Sequence, residues 1–313
     1  MTALRTTEHG MADIVPLSRP RWLNVSLYPF TSRYVEIDGH KIHYIDEGTG
    51  PTLLFLHAVP LWSFQYRNII PGLKDRFRCV ALDYPGFGLS TAAPGYHGTL
   101  AGTSQLVEQF ITALHLSDIT LVGHDSSAAA GLGVVARHPQ WFTGLVISNS
   151  FAWPLEDAPS IYRFVRIVSS PAFRFMIVNF NFLINYTVKQ LADGKLSEAE
   201  RSAYRGPFIA RGGRHHQHDM LKTLSHSREY LVDLQAKMQG LREMPALLIF
   251  SDNDSTYKAG FLGRYEKLFP RHRSVIIKST GNSQADHFPQ ENAPGEIVVA
   301  IRDWWDHELG KRP

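Results

Sequence analysis

The chain of 313 residues holds one cysteine, Cys79, set in the mostly apolar run 77–82. A disulfide framework and a cysteine-based zinc site are both excluded, and the thiol reads as a small buried hydrophobe. No window approaches the ~20 consecutive apolar residues that a membrane-spanning helix needs. The longest candidate, 175–186, is interrupted by Asn179, Asn181 and Asn185. The N-terminal region has no apolar block; Pro16, Pro20 and Pro29 are interspersed there with Arg5, Glu8 and Asp13, unlike a signal peptide. Net charge is only +3 and no Lys/Arg-rich run occurs, which argues against a phosphate-lined nucleic-acid groove. Apolar residues at 44% and charged residues at 19% exclude a disordered or collagen-like polymer. A soluble, cytoplasmic globular protein is expected, with no nucleic-acid or membrane partner. Its length suits two structural units, or one large domain carrying an insertion.

Residues 33–38 and 41–46 alternate in polarity around Asp38-Gly39, the signature of a hairpin. Short apolar runs follow at 52–56, 79–82, 119–122, 145–148, 246–250 and 274–277, of the kind that forms buried strands. Helical stretches at 103–114, 126–137, 260–268 and 295–307 lie among them. Strands alternating with helices predict an α/β fold with a mostly parallel central sheet covered on both faces. Between 151 and 226 the strand rhythm stops, and helices with aromatic faces are expected at 161–168, 173–191 and 197–204, the last opened by a Ser197/Glu200 capping box. The expected organisation is an N-terminal extension (1–30), an α/β core (31–150 and 227–313) and an inserted helical cap (151–226). An insertion after a parallel strand sits above the carboxyl edge of the sheet, where ligands bind in open α/β folds.

The run Ile119-Thr-Leu-Val-Gly-His-Asp125-Ser-Ser-Ala-Ala-Ala-Gly131 is an apolar strand, a sharp turn of small residues and a helix. This is a nucleophile elbow with Asp in the nucleophile's place. A carboxylate attacking an ester would give a labile anhydride, whereas displacement at an sp³ carbon gives an alkyl ester that water later cleaves. The bland alternative is that Asp125 only caps the helix. A nucleophilic Asp needs a base to activate water and an acid to orient that base, in the chain order nucleophile, acid, base. Asp254 follows the strand 246–250, and His287 follows the strand 274–277 as the lone His of its loop. Asp252 and Asp286 are rivals to Asp254, which is preferred because its longer reach beyond the strand suits a loop bending toward His287. The backbone N–H groups of Ser126 and Val59 are the expected oxyanion donors.

Several segments resemble the haloalkane dehalogenases of the α/β-hydrolase superfamily. These are His57-Ala-Val-Pro-Leu-Trp-Ser-Phe-Gln-Tyr-Arg-Asn-Ile-Ile-Pro71, Ala81-Leu-Asp-Tyr-Pro-Gly-Phe-Gly-Leu-Ser90, Gly123-His-Asp125, the segment 196–208 and His287-Phe-Pro-Gln-Glu291. The resemblance implies an α/β-hydrolase fold with Asp125 as nucleophile, His287 as base and Asp254 as acid. Asn149 falls where one branch of the family keeps its acid and another has Asn, which supports Asp254. Epoxide hydrolases share the Asp nucleophile.

The chain departs from the dehalogenase pattern at the leaving group. The usual halide-clamping Trp after the nucleophile is Ser126 here, and a second clamp, often Asn, is Val59. Trp62 or Trp153 is a candidate replacement for the indole donor. Tyr162, Tyr186 and Tyr204 are candidate proton donors for the alkoxide of an opening epoxide. Phe151, Phe164, Phe173, Phe182 and Asn149 are expected to line a mostly apolar pocket with them. The expected partners are water and a small apolar organohalide or epoxide, with no cofactor and no metal. His215-His-Gln-His218 reads as a solvated polar stretch rather than a ligand set, and His124 as a hydrogen-bonded core residue. A non-catalytic binding protein on the same scaffold is the rival from another class; the intact Asp125, His287 and Asp254 argue against it.

Overall fold

The computed structural model describes residues 19–279, 281 and 286–310. The first eighteen residues of the expected N-terminal extension and residues 282–285 of the His287 loop lie outside the described residues. The rest of the extension is packed onto the core: Tyr28 and Phe30 are buried, and the Tyr28 hydroxyl meets the Ser63 hydroxyl at 2.6 Å.

Eight strands form one sheet in the order β1-β2-β4-β3-β5-β6-β7-β8. The hairpin β1 (Arg33–Ile37) and β2 (His40–Glu47) turns on Asp38 and Gly39, both at positive φ, the backbone a two-residue hairpin loop requires. β2 runs antiparallel to β4 (Arg78–Leu82), and all remaining pairs are parallel. β3 (Thr52–Leu56) and β5 (Ile119–His124) are buried along their whole length, as their unbroken apolar runs require. β6 (Phe142–Ser148), β7 (Ala246–Ser251) and β8 (His272–Ile277) complete the sheet. Because β3, β5, β6 and β7 are parallel, the loops carrying Val59, Asp125, Asn149 and Asp254 all leave the sheet at one edge.

Helices α1 (Leu100–Ala113) and α2 (Ser126–Arg137) pack together beside the sheet, and the C-terminal helix Pro294–Glu308 covers β7 and β8. Between β6 and β7 lie α3 (Pro159–Val168), α4 (Pro171–Phe180), α5 (Phe182–Gln190), α6 (Glu198–Arg205), α7 (Arg211–Leu224) and α8 (Arg228–Lys237). The single helix expected over 173–191 is two, because Asn181 takes a left-handed conformation at φ 54° and turns the chain between α4 and α5. The expected capping box is present at Ser197 and Glu200. The His215–His218 stretch is not a solvated surface: it lies within α7, where Gln217 and His218 are buried and His218 Nε2 meets the Ser169 carbonyl at 3.1 Å.

The layer between α6 and the core is tied by charge. Arg67 donates to both carboxylate oxygens of Glu291, to Glu200 Oε1 at 2.7 Å and to the Tyr204 hydroxyl at 3.2 Å, with its side chain only 2% exposed. One guanidinium thus joins the segment after β3, the helix α6 and the helix Pro289–Asn292.

Candidate active site

β5 delivers Asp125 into a sharp turn. Its backbone sits at φ 54°, ψ −140°, a region that costs a non-glycine residue strain and persists where surrounding contacts enforce it. Those contacts are an N–H bond from Asp125 to Ser148 O at 3.3 Å and a hydroxyl bond from Ser150 to the Asp125 carbonyl at 2.7 Å. Gly123 permits the turn, since a Cβ there would lie 2.7 Å from Ala128 Cα. Asp125 stands at the N-cap position of α2, yet its side chain makes no capping hydrogen bond. The carboxylate instead accepts from the Ser126 hydroxyl at 3.1 Å and faces a chamber.

His287 stands beside it, with Nε2 3.9 Å from Asp125 Oδ1 and Nδ1 2.8 Å from Asp254 Oδ2. Asp254 is buried at the end of β7, where it caps the short helix Ser255–Lys258 and accepts from the Thr256 N–H at 2.8 Å and from the Thr256 hydroxyl. Asp252 is turned away, accepting from Ser279 N at 2.8 Å, and Asp286 accepts from Asn253 Nδ2 at 3.1 Å. Asn149 lies behind the histidine loop rather than in the chamber. Its Oδ1 accepts from Ser251 N at 2.9 Å, and its Nδ2 donates to the carbonyls of Asp286 and His287 at 2.9 and 3.1 Å.

Burial raises the Asp125 pKa above the usual carboxylate range, against the pull of His287 and the Ser126 donors. Burial also works against a charge on His287, but the neighbouring Asp254 and Asp125 carboxylates outweigh it and hold the imidazole up at about 9. Burial likewise opposes ionisation of Asp254, yet the bonds from His287 and Thr256 hold it down at about 2. His124, its ring centroid 5.0 Å from that of His287, is buried and pushed down to about 3, first by burial and then by the neighbouring imidazole. Its Nδ1 lies 3.1 Å from the Ser148 carbonyl.

The chamber has a volume of about 340 Å³ and a mostly apolar wall that includes Val59, Phe151, Phe164, Val165, Leu183, Tyr186, Leu221 and Leu224. Ser126 borders a side void of about 30 Å³ shared with Leu100, Met220 and Leu221. Several expected wall residues lie elsewhere. Trp62 is fully buried and its Nε1 donates to Ala203 O at 3.1 Å, so its indole N–H is already used. Trp153 stacks on Phe261 at 5.9 Å and meets Tyr265 edge-on, outside the chamber wall. Tyr162 lies under Arg166, and Phe173 packs against Phe182, which stacks on Tyr186 from outside. The Tyr204 hydroxyl is bound to Glu291 and Arg67. The sequence reading missed Leu221 and Leu224 because it did not extend a helix through the histidine stretch, and with it the apolar i, i+3 stripe of α7. Among the described residues no cluster of three or more His, Cys, Asp or Glu side chains is placed to hold a metal ion.

A carboxylate on a strand-to-helix elbow above a mostly parallel sheet, beneath an inserted set of helices, is the arrangement of an α/β hydrolase. A profile of the alpha/beta hydrolase fold matches residues 51–289. The chain is 33% identical over 277 residues to haloalkane dehalogenase 2 of Mycobacterium tuberculosis, covering 88% of this chain and 95% of that protein. It is 28% identical over 290 residues to the cis-3-alkyl-4-alkyloxetan-2-one decarboxylase of Shewanella oneidensis, covering 88% and 89%. The structure of haloalkane dehalogenase DbeA from Bradyrhizobium elkani superposes with a TM-score of 0.81 at 22% identity, covering 90% of this chain and 100% of that one. The chain belongs to the α/β-hydrolase family, and within it to the haloalkane dehalogenase-like hydrolases.

Proposed function

We propose that the protein hydrolyses a small or medium apolar substrate at a saturated carbon through an ester formed on Asp125. One observation carries the reading: the Asp125 carboxylate is free of any capping duty, faces an apolar chamber and has His287 Nε2 3.9 Å away. A carboxylate oxygen of Asp125 attacks the carbon, the C–X bond breaks with its electrons leaving on X, and an alkyl ester remains. His287 takes a proton from water, which attacks the ester carbonyl; the N–H groups of Ser126 and Val59 hold the oxyanion, and Asp254 steadies the imidazolium. The imidazolium returns its proton to the departing alkoxide, which leaves as the alcohol, and Asp125 is restored as a carboxylate as the remaining water proton is released to solvent. No cofactor enters this scheme. In this reading residues 31–150 and 227–313 form the core and 151–226 the cap that shapes the chamber.

The relatives named as dehalogenases favour an organohalide, with Ser126 and Val59 making its leaving-group site atypical. A second reading, an epoxide hydrolase, is favoured by Tyr186: of the three candidate tyrosines it alone lines the chamber, and a phenol there can protonate the alkoxide of an opening ring. The test is an intact-mass and peptide-mass measurement on a His287 variant exposed to mixed organohalides and epoxides. The adduct trapped on the Asp125 peptide names both nucleophile and substrate class, and no adduct from any compound the wild type consumes overturns the covalent scheme.

A further inference from the structure

Of the ten large apolar side chains exposed among the described residues, seven lie in α3, α4 and α5 or just before α7: Phe164, Ile167, Phe175, Met176, Phe180, Tyr186 and Ile209. Several are 49–62% exposed, well beyond the isolated surface leucine that needs no explanation. Those of α4 and α5 are linked by aromatic contacts. Phe173, Met176 and Phe180 fall at i, i+3 and i+7 along α4, Phe175 meets Phe180 at 5.8 Å, and Phe173 passes through Phe182 to Tyr186 on α5. Phe164 of α3 joins at the chamber, whose wall it shares with Tyr186.

The charge on this surface has one sign. From Pro159 to Leu191 the chain carries Arg163, Arg166, Arg174 and Lys189 and no acidic residue, although the whole chain has nearly balanced charge. All four are exposed, and none is paired with a carboxylate among the described residues. Arg166 lies over Tyr162, and Arg174 contacts His215.

We propose that the face formed by α3, α4 and α5 docks on an anionic lipid bilayer, lying on the membrane rather than crossing it. Aromatic and aliphatic side chains project into solvent from these helices, and cations lie among them, which matches the headgroup boundary of such a bilayer. A second copy of the chain fits less well, because a two-fold contact through this face would set like charges against like. None of the described helices is long and apolar enough to span a membrane, so the association is peripheral. Phe164 and Tyr186 belong both to the docking face and to the chamber wall, so in this proposal an apolar substrate dissolved in the lipid reaches Asp125 without crossing water.

The experiment is co-sedimentation of the full chain with vesicles of phosphatidylcholine alone and of phosphatidylcholine mixed with phosphatidylglycerol, with light scattering on the protein by itself. Binding is expected to the mixed vesicles and to fade as salt is raised. Arg166→Glu with Arg174→Glu removes two attractions and adds two repulsions; at about five-fold per charge near an anionic surface, partition falls by more than about twenty-fold. Phe175→Ser with Phe180→Ser removes binding. Neither pair lines the chamber, so turnover of a water-soluble substrate and the circular dichroism spectrum stay unchanged, which separates this proposal from the hydrolytic one. Equal binding to both vesicle types, no binding to either, or undiminished binding by the charge-reversed variant overturns it. So does a solution dimer that Phe175→Ser with Phe180→Ser dissociates.

Discussion

His287 holds Asp254 with Nδ1 at 2.8 Å while its Nε2 stops 3.9 Å short of Asp125 Oδ1. The first contact is a hydrogen bond and the second only an electrostatic one, so Asp125 Oδ1 keeps its lone pairs for attack while Oδ2 accepts from Ser126. His287→Ala is therefore expected to allow the first step and block the second. A covalent adduct should accumulate on the peptide containing Asp125, read by intact and peptide mass.

Asp125→Asn keeps the shape of the elbow and removes the nucleophile. Turnover should fall by at least about four orders of magnitude with the melting temperature little changed. For the wild type, a single turnover in heavy-oxygen water should label Asp125 first. Label appearing directly in the first-turnover product would mean that water attacks the substrate with no protein ester.

The charges on the histidine pair give two pH signatures. In the free protein His287 titrates at about 9, supported by Asp254 and Asp125; esterifying Asp125 removes one of those carboxylates, so the hydrolytic step should rise with pH along a limb centred below about 9. Single-turnover decay of the adduct, set against NMR titration of the free imidazole, measures the difference. For stability, the raised His287 pKa helps fully below the ordinary imidazole value and is lost as pH rises through about 9, while the lowered Asp254 pKa helps above the ordinary carboxylate value and is lost as pH falls toward about 2. The stability gap between wild type and Asp254→Asn should thus be widest from about pH 4 to 6.5 and narrow on either side, as urea titrations would show.

Installing the family's halide donors meets a steric limit. Each hydrogen bond to a developing halide charge is worth ~1.5 to 3 kcal/mol, roughly 10- to 100-fold in rate, so Ser126→Trp with Val59→Asn should speed debromination of a bromoalkane. The void beside Ser126 is only about 30 Å³, however, and the indole would press on Leu100, Met220 and Leu221. The double variant should lose about 1 to 3 kcal/mol of stability through overpacking, and Leu221→Ala should relieve part of it while preserving the rate gain. Epoxide turnover should stay level or fall. A wild type that already releases bromide rapidly, with the double variant no faster, would show that another group serves as the clamp.

Arg67 and Glu291 have side chains 2% and 1% exposed; Glu291 has Arg67 as its ion-pair partner, and Arg67 has Glu200 besides. Arg67→Met strands the buried Glu291 carboxylate and should cost about 3 to 5 kcal/mol, whereas Arg67→Met with Glu291→Leu, which removes both buried charges, should cost much less. Chemical denaturation of the two variants separates the worth of the pair from the penalty of breaking it.

Much of the scaffold was legible because burial leaves plain marks. The limits of the helix after the elbow were read directly, since small residues and a following Pro bound it; the hairpin strands were located by alternating polarity around Asp38-Gly39 and the other six by their apolar runs. The helical insertion was harder. Asn181 looked like one polar interruption among three, and only its left-handed backbone shows that it turns the chain. The tryptophans misled for a physical reason: Trp62 and Trp153 are large and lie near the site in sequence, but each is held by partners on the far side of it, Ala203 for one and Phe261 for the other. Asn149 was singled out as a possible pocket residue, and its bonds to the Ser251 N–H at the end of β7 and to the carbonyls of Asp286 and His287 come from segments about a hundred residues or more away, beyond the reach of any local pattern.

Those three bonds also constrain how such a site changes over a lineage. An Asp at position 149 would aim a carboxylate at the carbonyl oxygens of Asp286 and His287, where the amide now supplies hydrogens, so the acid role proposed for Asp254 could not pass to position 149 by one substitution. The loop bearing His287 would have to be rebuilt first, through ancestors in which the histidine was poorly held. The two possible homes for the acid are therefore separated by a fitness valley, and a chain that has settled on one is expected to keep it while its leaving-group residues drift.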